Sequence, residues 1–206
     1  MIKNTIKIAL VGQPNVGKSM LINSISNARL KVGNFSGVTV SKEQVFFDYK
    51  NFHIEIVDLP GAYSLNDYTI EEKVTKDFLN NEKYDIILNV LDSTNLQRNL
   101  LLTAELLTLD KKMIIALNMS DEAEKESILI DEIQLSKILG KPCIKTSAAK
   151  KNGITKLLDE ILLKFQSQKV PSKFFFSNVI EEEIENISRI LKENTYETNE
   201  TYRQIS

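Results

Sequence analysis

Eight consecutive residues carry the chemistry of a phosphate-binding loop. Gly12-Gln13-Pro14-Asn15-Val16-Gly17-Lys18-Ser19 matches G-x-x-x-x-G-K-[ST] at every fixed position. Its glycines let backbone N–H groups turn onto phosphate oxygens, and the helix that follows adds the positive end of its dipole. Lys18 can reach the β- and γ-phosphates, and the Ser19 hydroxyl can ligate Mg2+, with Met20 in the same turn. Further along, Asp58-Leu59-Pro60-Gly61 closes a strand-like segment. An Asp there can hold Mg2+, usually through water, and the Gly61 N–H can meet the γ-phosphate.

A second constellation selects the base. Asn118-Met119-Ser120-Asp121 ends another apolar segment. The Asp121 carboxylate can accept from guanine N1–H and N2–H2, whereas adenine would leave it unpaired and desolvated. The motif is similar to the guanine-reading N-K-x-D, with Met119 in the place of the lysine. The cation is lost there, but an aliphatic stem remains to wall the pocket. Thr146-Ser147-Ala148-Ala149 is similar to the loop whose backbone N–H supports guanine O6. Together these segments predict guanine selectivity with modest affinity.

The elements that must hold these loops alternate at βαβ spacing. The chain has 206 residues, 42% hydrophobic and 26% charged, enough for one α/β domain and a short appendage. Strands are expected at 6–11, 44–49, 52–58, 85–91, 112–118 and 142–145, the second and third as an antiparallel hairpin. Helices are expected at 18–27, 69–79 with Thr69 as N-cap, 96–109, in the region up to Leu139, and from Ile154 to Phe165. Residues 29–41 read as a long irregular loop because Gly33, Asn34, Ser36 and Gly37 cluster there. The predicted fold is a mostly parallel sheet with one antiparallel strand and helices on both faces. A domain over 1–167 precedes a polar linker and a second amphipathic helix within 168–206.

Several function classes are excluded. A formal charge of −2, from 26 basic and 28 acidic residues, argues against nucleic-acid binding by bulk charge. One cysteine, Cys143, and one histidine, His53, leave no set for a cysteine zinc cluster or an intramolecular disulfide. A reducing compartment is the natural reading. No apolar run reaches the ~20 residues of a membrane helix, so the polypeptide as given is expected to be soluble.

Four motifs in this order resemble a Ras-like P-loop GTPase of the bacterial type. The details point further. Lys31-Val32-Gly33-Asn34-Phe35-Ser36-Gly37-Val38-Thr39-Val40 is similar to the first switch of the ferrous iron transport protein B family, close to V-G-N-W-P-G-V-T-V. Asp58 to Leu65 resembles that family's D-L-P-G-T-Y-S-L, and Asp92 to Leu100 resembles V-D-A-x-N-L-E-R-N-L. The N-M-x-D variant is also that family's. The resemblance covers about residues 4–165. Phe35 for Trp, Ser36 for Pro and Ala62 for Thr depart from the pattern.

The resemblance implies a GTP- and GDP-binding domain on the cytoplasmic face of the bacterial inner membrane, regulating Fe2+ transport. It implies a longer chain, whose helical (GDI-like) domain and membrane domain would be partners of this one, and leaves a homo-oligomer open. The last residues would then be the start of the helical domain. Gly37, Val38 and Thr39 would face the nucleotide, with Thr39 joining Ser19 on Mg2+. Asn15 would coordinate K+ with the carbonyls of Gly33 and Phe35. Ala62 stands where related GTPases place a glutamine on the attacking water, so hydrolysis is expected to be slow and K+-stimulated. Backbone groups of the first switch, or Glu71 or Glu72, could position the water instead; for the two carboxylates helix N-terminal charge is the simpler reading. His53 and Cys143 read as packing residues, and Phe174-Phe175-Phe176 as a contact with the helical extension. A soluble GTPase of ribosome assembly or tRNA modification is the alternative; it would need a basic RNA-binding domain that this sequence does not offer.

Overall fold

The first strand, β1 (Asn4–Gly12), is almost wholly apolar because both of its faces are covered: Ile6, Ile8, Ala9, Leu10 and Val11 are fully buried. The chain is described by a computed structural model over residues 4–25, 29–35, 37–167, 182 and 185–190. β1 pairs in parallel with β4 (Phe52–Asp58) on one side and β5 (Ile86–Asp92) on the other. β6 (Met113–Asn118) and β7 (Cys143–Lys145) extend that parallel set. β3 (Ser41–Tyr49) runs against its neighbours β4 and β2 (Arg29–Asn34). The sheet order is β2-β3-β4-β1-β5-β6-β7. One strand, β3, is therefore antiparallel to the other six, as expected.

Helices cover both faces. On one, α1 (Lys18–Asn23) and α6 (Ile154–Gln166) bring Leu21, Ile22, Leu157, Leu158, Ile161 and Leu162 onto Ile8, Leu10 and Leu88. On the other, α2 (Ile70–Asn81), α3 (Leu96–Leu107) and α5 (Glu132–Leu139) bury Val74, Phe78, Leu102, Leu106 and Leu139 against Ala9, Val11 and Ile115. Loops at the carboxyl ends of parallel strands face the same way, and β1 leads straight into the phosphate loop. Thr69 caps α2 as expected, accepting from the Glu72 N–H at 3.1 Å. At the opposite end of the sheet, the Lys112 ammonium donates to the Phe165 and Ser167 carbonyls, both at 2.9 Å, and so closes α6.

Three expectations are corrected. Residues 29–34 are not irregular loop but the edge strand β2, in register from Arg29 opposite Phe46 to Asn34 opposite Ser41. All six residues are exposed, so the strand is held by backbone pairing and carries no burial signal, while Gly33 and Asn34 imitate a turn. Helix α1 ends at Asn23, with a turn at Ser24; residues 26–28 lie outside the described ones. The helical region before Leu139 divides into α4 (Ser120–Lys125) and α5, because Asp131 caps a new helix by accepting from the Ile133 and Gln134 N–H groups. Gly140, with φ 62°, ends α5 as expected.

His53 stacks on Phe46 and meets Asp48 at 2.9 Å on the exposed β3–β4 surface. Cys143 is buried, and burial pushes its thiol up to about 11, which leaves it unreactive at neutral pH. The helix expected near 181–191 is represented by helical residues 182 and 185–190. The linker from 168 and the Phe174–Phe176 run lie outside the described residues. Among the described residues, no helix is long and apolar enough to cross a membrane.

Candidate nucleotide-binding site

The loop after β1 is built from left-handed backbone. Asn15 has φ 67° and Gly17 φ 85°. Asparagine tolerates this conformation, but Gly17 is also constrained by space, since a Cβ there would stand 2.5 Å from the Asn118 Nδ2. Val16 is buried in the core, and Gln13 is tied to α3 through its Nε2, which donates to the Arg98 carbonyl at 2.8 Å. The segment after β4 lies against the same loop. The Ala62 N–H donates to the Gly12 carbonyl at 3.3 Å, and a Cβ on Gly61 would come within 3.0 Å of Pro14.

Beside the phosphate loop lies a cavity of about 490 Å3 lined by Lys18, Ser19, Thr39, Asp58, Gly61 and Glu71, among others. Here the structure brings together residues that are far apart in sequence. The Lys18 ammonium sits 3.8 Å from Asp58 Oδ1, with both side chains 11% exposed. Burial lowers the Lys18 pKa, against the raising effect of Asp58 and Glu43. Burial raises the Asp58 pKa to about 6, opposed by Lys18 and assisted by Glu43. Asp58 Oδ1 is buried without a hydrogen-bond partner. An unpartnered carboxylate oxygen in a cavity that Ser19 and Thr39 also line makes a hard-oxygen set that suits Mg2+.

The cavity lining includes none of Asn15, Gly33 and Phe35. Asn15 is exposed, and Gly33 pairs opposite Lys42. The Phe35 ring packs edge-on against Phe78 at 6.2 Å, and its carbonyl accepts from the Val38 N–H at 3.4 Å. Gly37, with φ 77°, turns the chain between Phe35 and Thr39, and Val38 packs on the core beside α2. Met20 is half exposed.

The base side is organised by Asn118, 2% exposed at the end of β6. Its Nδ2 donates to the Val16 carbonyl at 3.0 Å, and its Oδ1 accepts from the Thr146 hydroxyl at 3.3 Å and the Ala148 N–H at 3.2 Å. One amide thus joins the phosphate loop to the loop after β7. Met119, with φ 57°, turns the chain into α4, so that Asp121 falls in its first turn. Asp121 is 8% exposed, and its pKa is lowered, first by the Ser147 hydroxyl and also by Lys150. Ala149 is exposed in the following turn. The arrangement can hold phosphates at one end and an exocyclic-amine purine at the other.

No sequence signal marks Glu43, which stands opposite Asp58 across the β3–β4 pair and lines the cavity. It also hid the clamps on the segment after Gly61. Glu72 is buried and accepts from the Ser64 N–H at 3.2 Å, and Glu105 accepts from the Leu65 N–H at 2.6 Å. Glu72 is therefore turned into its own loop, while Glu71 lines the cavity.

The comparisons with known proteins agree with this geometry. A family model described as ferrous iron transport protein B matches residues 6–161. The Fe(2+) transporter FeoB of Helicobacter pylori is 58% identical over 180 residues, covering 82% of this chain. That of Campylobacter jejuni is 53% identical over 176 residues, covering 85%. The chain spans only 28% and 29% of the length of those two relatives. The cytosolic domain of the T. maritima FeoB iron transporter in a GDP form superposes with a TM-score of 0.90 at 34% identity, covering 98% of this chain and 79% of that one. Its GMPPNP form superposes with a TM-score of 0.87 at 35% identity, covering 97% and 78%. The fold is thus that of a Ras-like G domain, and the chain belongs to the ferrous iron transport protein B family.

Proposed function

We propose that this chain binds GTP and GDP with Mg2+, hydrolyses GTP slowly, and serves as the nucleotide-responsive part of a ferrous iron transporter. The observation that carries the proposal is the Asn118 amide, which joins the phosphate loop at Val16 to the base loop at Ala148 and leaves Asp121 beside them. On the edge where guanine presents N1–H and N2–H2, adenine presents an acceptor nitrogen and a C–H, which leave that carboxylate without a donor. The relatives' names as Fe(2+) transporters, and the GDP and GMPPNP forms of the T. maritima domain, support the same reading.

In this reading Gly12 to Met20 wrap the phosphates, with Lys18 on the β- and γ-oxygens. Ser19, Thr39 and Asp58 would hold Mg2+, which supplies charge neutralisation between the phosphates. Gly37 and Val38 carry Thr39 to the site, and the Gly61 N–H meets the γ-phosphate. Asn118, Met119, Asp121, Ser147, Ala148 and Ala149 enclose the guanine. Water adds its oxygen to the γ-phosphorus as the bond to the β–γ bridging oxygen breaks. Ala62 is 1% exposed and has no polar side-chain atom, so it cannot orient that water, which supports a slow rate.

Asn15 is assigned to K+. Gly33 and Phe35 are the other assigned ligands; the Phe35 carbonyl accepts from the Val38 N–H at 3.4 Å and keeps a second lone pair for a cation. The G domain is assigned to 1–167 and the start of a helical domain to 168–206. The partners would be the helical and membrane segments of a longer chain, at the cytoplasmic face of the membrane, with a homo-oligomer open to them. The test is displacement of a fluorescent GDP. GTP should compete and ATP should not, and equal competition by ATP overturns the reading. Asp121→Asn should shift preference to xanthine nucleotides. Hydrolysis equal in Na+ and K+ removes the Asn15 assignment.

A further inference from the structure

The base site has lost its usual lysine to Met119, yet a lysine stands on its carboxylate. Lys150 Nζ lies 3.5 Å from Asp121 Oδ2. The two side chains differ in exposure, 53% for Lys150 and 9% for Asp121, so the lysine reaches from the surface onto a nearly buried acceptor. Its position is fixed by the backbone. The Lys150 N–H donates to Ser147 Oγ at 3.2 Å, the Lys151 N–H donates to the Ala148 carbonyl at 3.4 Å, and Ser147 and Asn152 exchange two backbone hydrogen bonds. This tight turn carries Lys150 back over the residues that flank the base.

We propose that Lys150 is the base-site cation of this chain, a positioning residue that keeps the Asp121 carboxylate aimed at the guanine edge. The proposal rests on the guanine-nucleotide reading above. A carboxylate has about four acceptor positions. Guanine N1–H and N2–H2 use two, and the Ser147 hydroxyl and the Lys150 ammonium can use the others. With all four used, no acceptor position is left unpaired in a nearly buried group, and the bonds to guanine are charge-assisted. The charge is supplied from the loop after β7 rather than from the residue after Asn118, so it moves with the loop that supports the base. The lysine faces an acceptor already engaged by Ser147, and its half-exposed ammonium is open to salt. Its contribution is therefore modest and depends on ionic strength.

The test measures release of fluorescent GDP from the 206-residue chain and from Lys150→Ala, Lys150→Arg and Lys150→Glu, at low salt and at 1 M NaCl. Lys150→Ala should speed release about three- to tenfold at low salt. Lys150→Glu should speed it more, and Lys150→Arg should stay within about twofold of the parent. The gap between the parent and Lys150→Ala should close at 1 M salt, where the screening length is ~3 Å. The proposal is overturned if the Ala and Glu variants both release GDP at the parent rate, if Arg is as damaging as Ala, or if the gap persists at high salt. If the parent itself binds no GDP, the guanine-nucleotide reading fails instead, which the parent measurement reports separately.

Discussion

Replacing Asn118 by alanine should separate the two halves of the nucleotide site. The substitution removes three hydrogen bonds, one to the Val16 carbonyl and two to Oδ1 from Thr146 and Ala148. Thr146 is fully buried and Ala148 is 8% exposed, so water cannot readily replace the lost acceptor. Each bond contributes about 1 kcal/mol net, and more where a buried partner is left unsatisfied. The total is about 3 kcal/mol. For a domain of this size that corresponds to a fall in melting temperature of about 6–12 °C. If half of it is also lost from the geometry that receives the nucleotide, GDP affinity drops about tenfold. Thermal unfolding without nucleotide and titration of fluorescent GDP measure the two effects. Asn118→Asp is the control. It keeps an oxygen for Thr146 and Ala148 but turns a carboxylate oxygen toward the Val16 carbonyl, so it should weaken GDP binding at least as much as alanine does. A melting temperature within 2 °C of the parent, with GDP binding unchanged, would refute the idea that one amide joins the loops.

Three further outcomes are expected. The Asp58 pKa is raised from 3.8 to about 6, so the native state binds more protons than the unfolded chain between those values. Its contribution to stability is full below pH 3.8 and is lost as pH rises through 6, by about 3 kcal/mol; urea unfolding of the nucleotide-free chain should show this slope, and Asp58→Asn should flatten it. Gly17→Ala forces a side chain into φ 85° and against Asn118, so it should cost about 2 kcal/mol and abolish GDP binding, measured by calorimetry and thermal unfolding. Thr69→Ala removes the cap on α2 and should lower stability by about 1 kcal/mol in urea, with GDP affinity unchanged.

Much of this was legible in the residues. The phosphate loop, Asp58-Leu59-Pro60-Gly61 and Asn118 to Asp121 could be read because their chemistry sits in contiguous residues at strand ends. β4 could be bounded at Phe52 and Asp58 because a turn and a loop signal flank an alternating run in which Phe52, Ile54 and Ile56 share one face. β2 was not legible. An edge strand with no buried residue is specified by backbone pairing, and side-chain pattern says nothing about pairing. Glu43 and Lys150 were hidden for a related reason. Each acts on a group fixed by a different element, Asp58 across a strand pair and Asp121 across two loops, and nothing local marks them. The bridging role of Asn118 was only half visible. Its type suggested base reading, but its bonds to Val16 and Ala148 depend on sheet order.

Strand β6 has a consequence that reaches beyond the nucleotide. At one end Asn118 grips the loops around the base; just before the other, Lys112 grips the last carbonyls of α6. The five residues between, all buried, pair with β5 along their whole length and with β7 at Ile115 to Leu117, and the two gripping residues stand about 20 Å apart. Such a strand is stiff in length because its ladder fixes every residue against a neighbour. It acts as a gauge rod. The proposed base site and the point where the chain continues past Ser167 are thus held at constant spacing, so any movement passed between them has to go through a tilt of the strand and not a stretch.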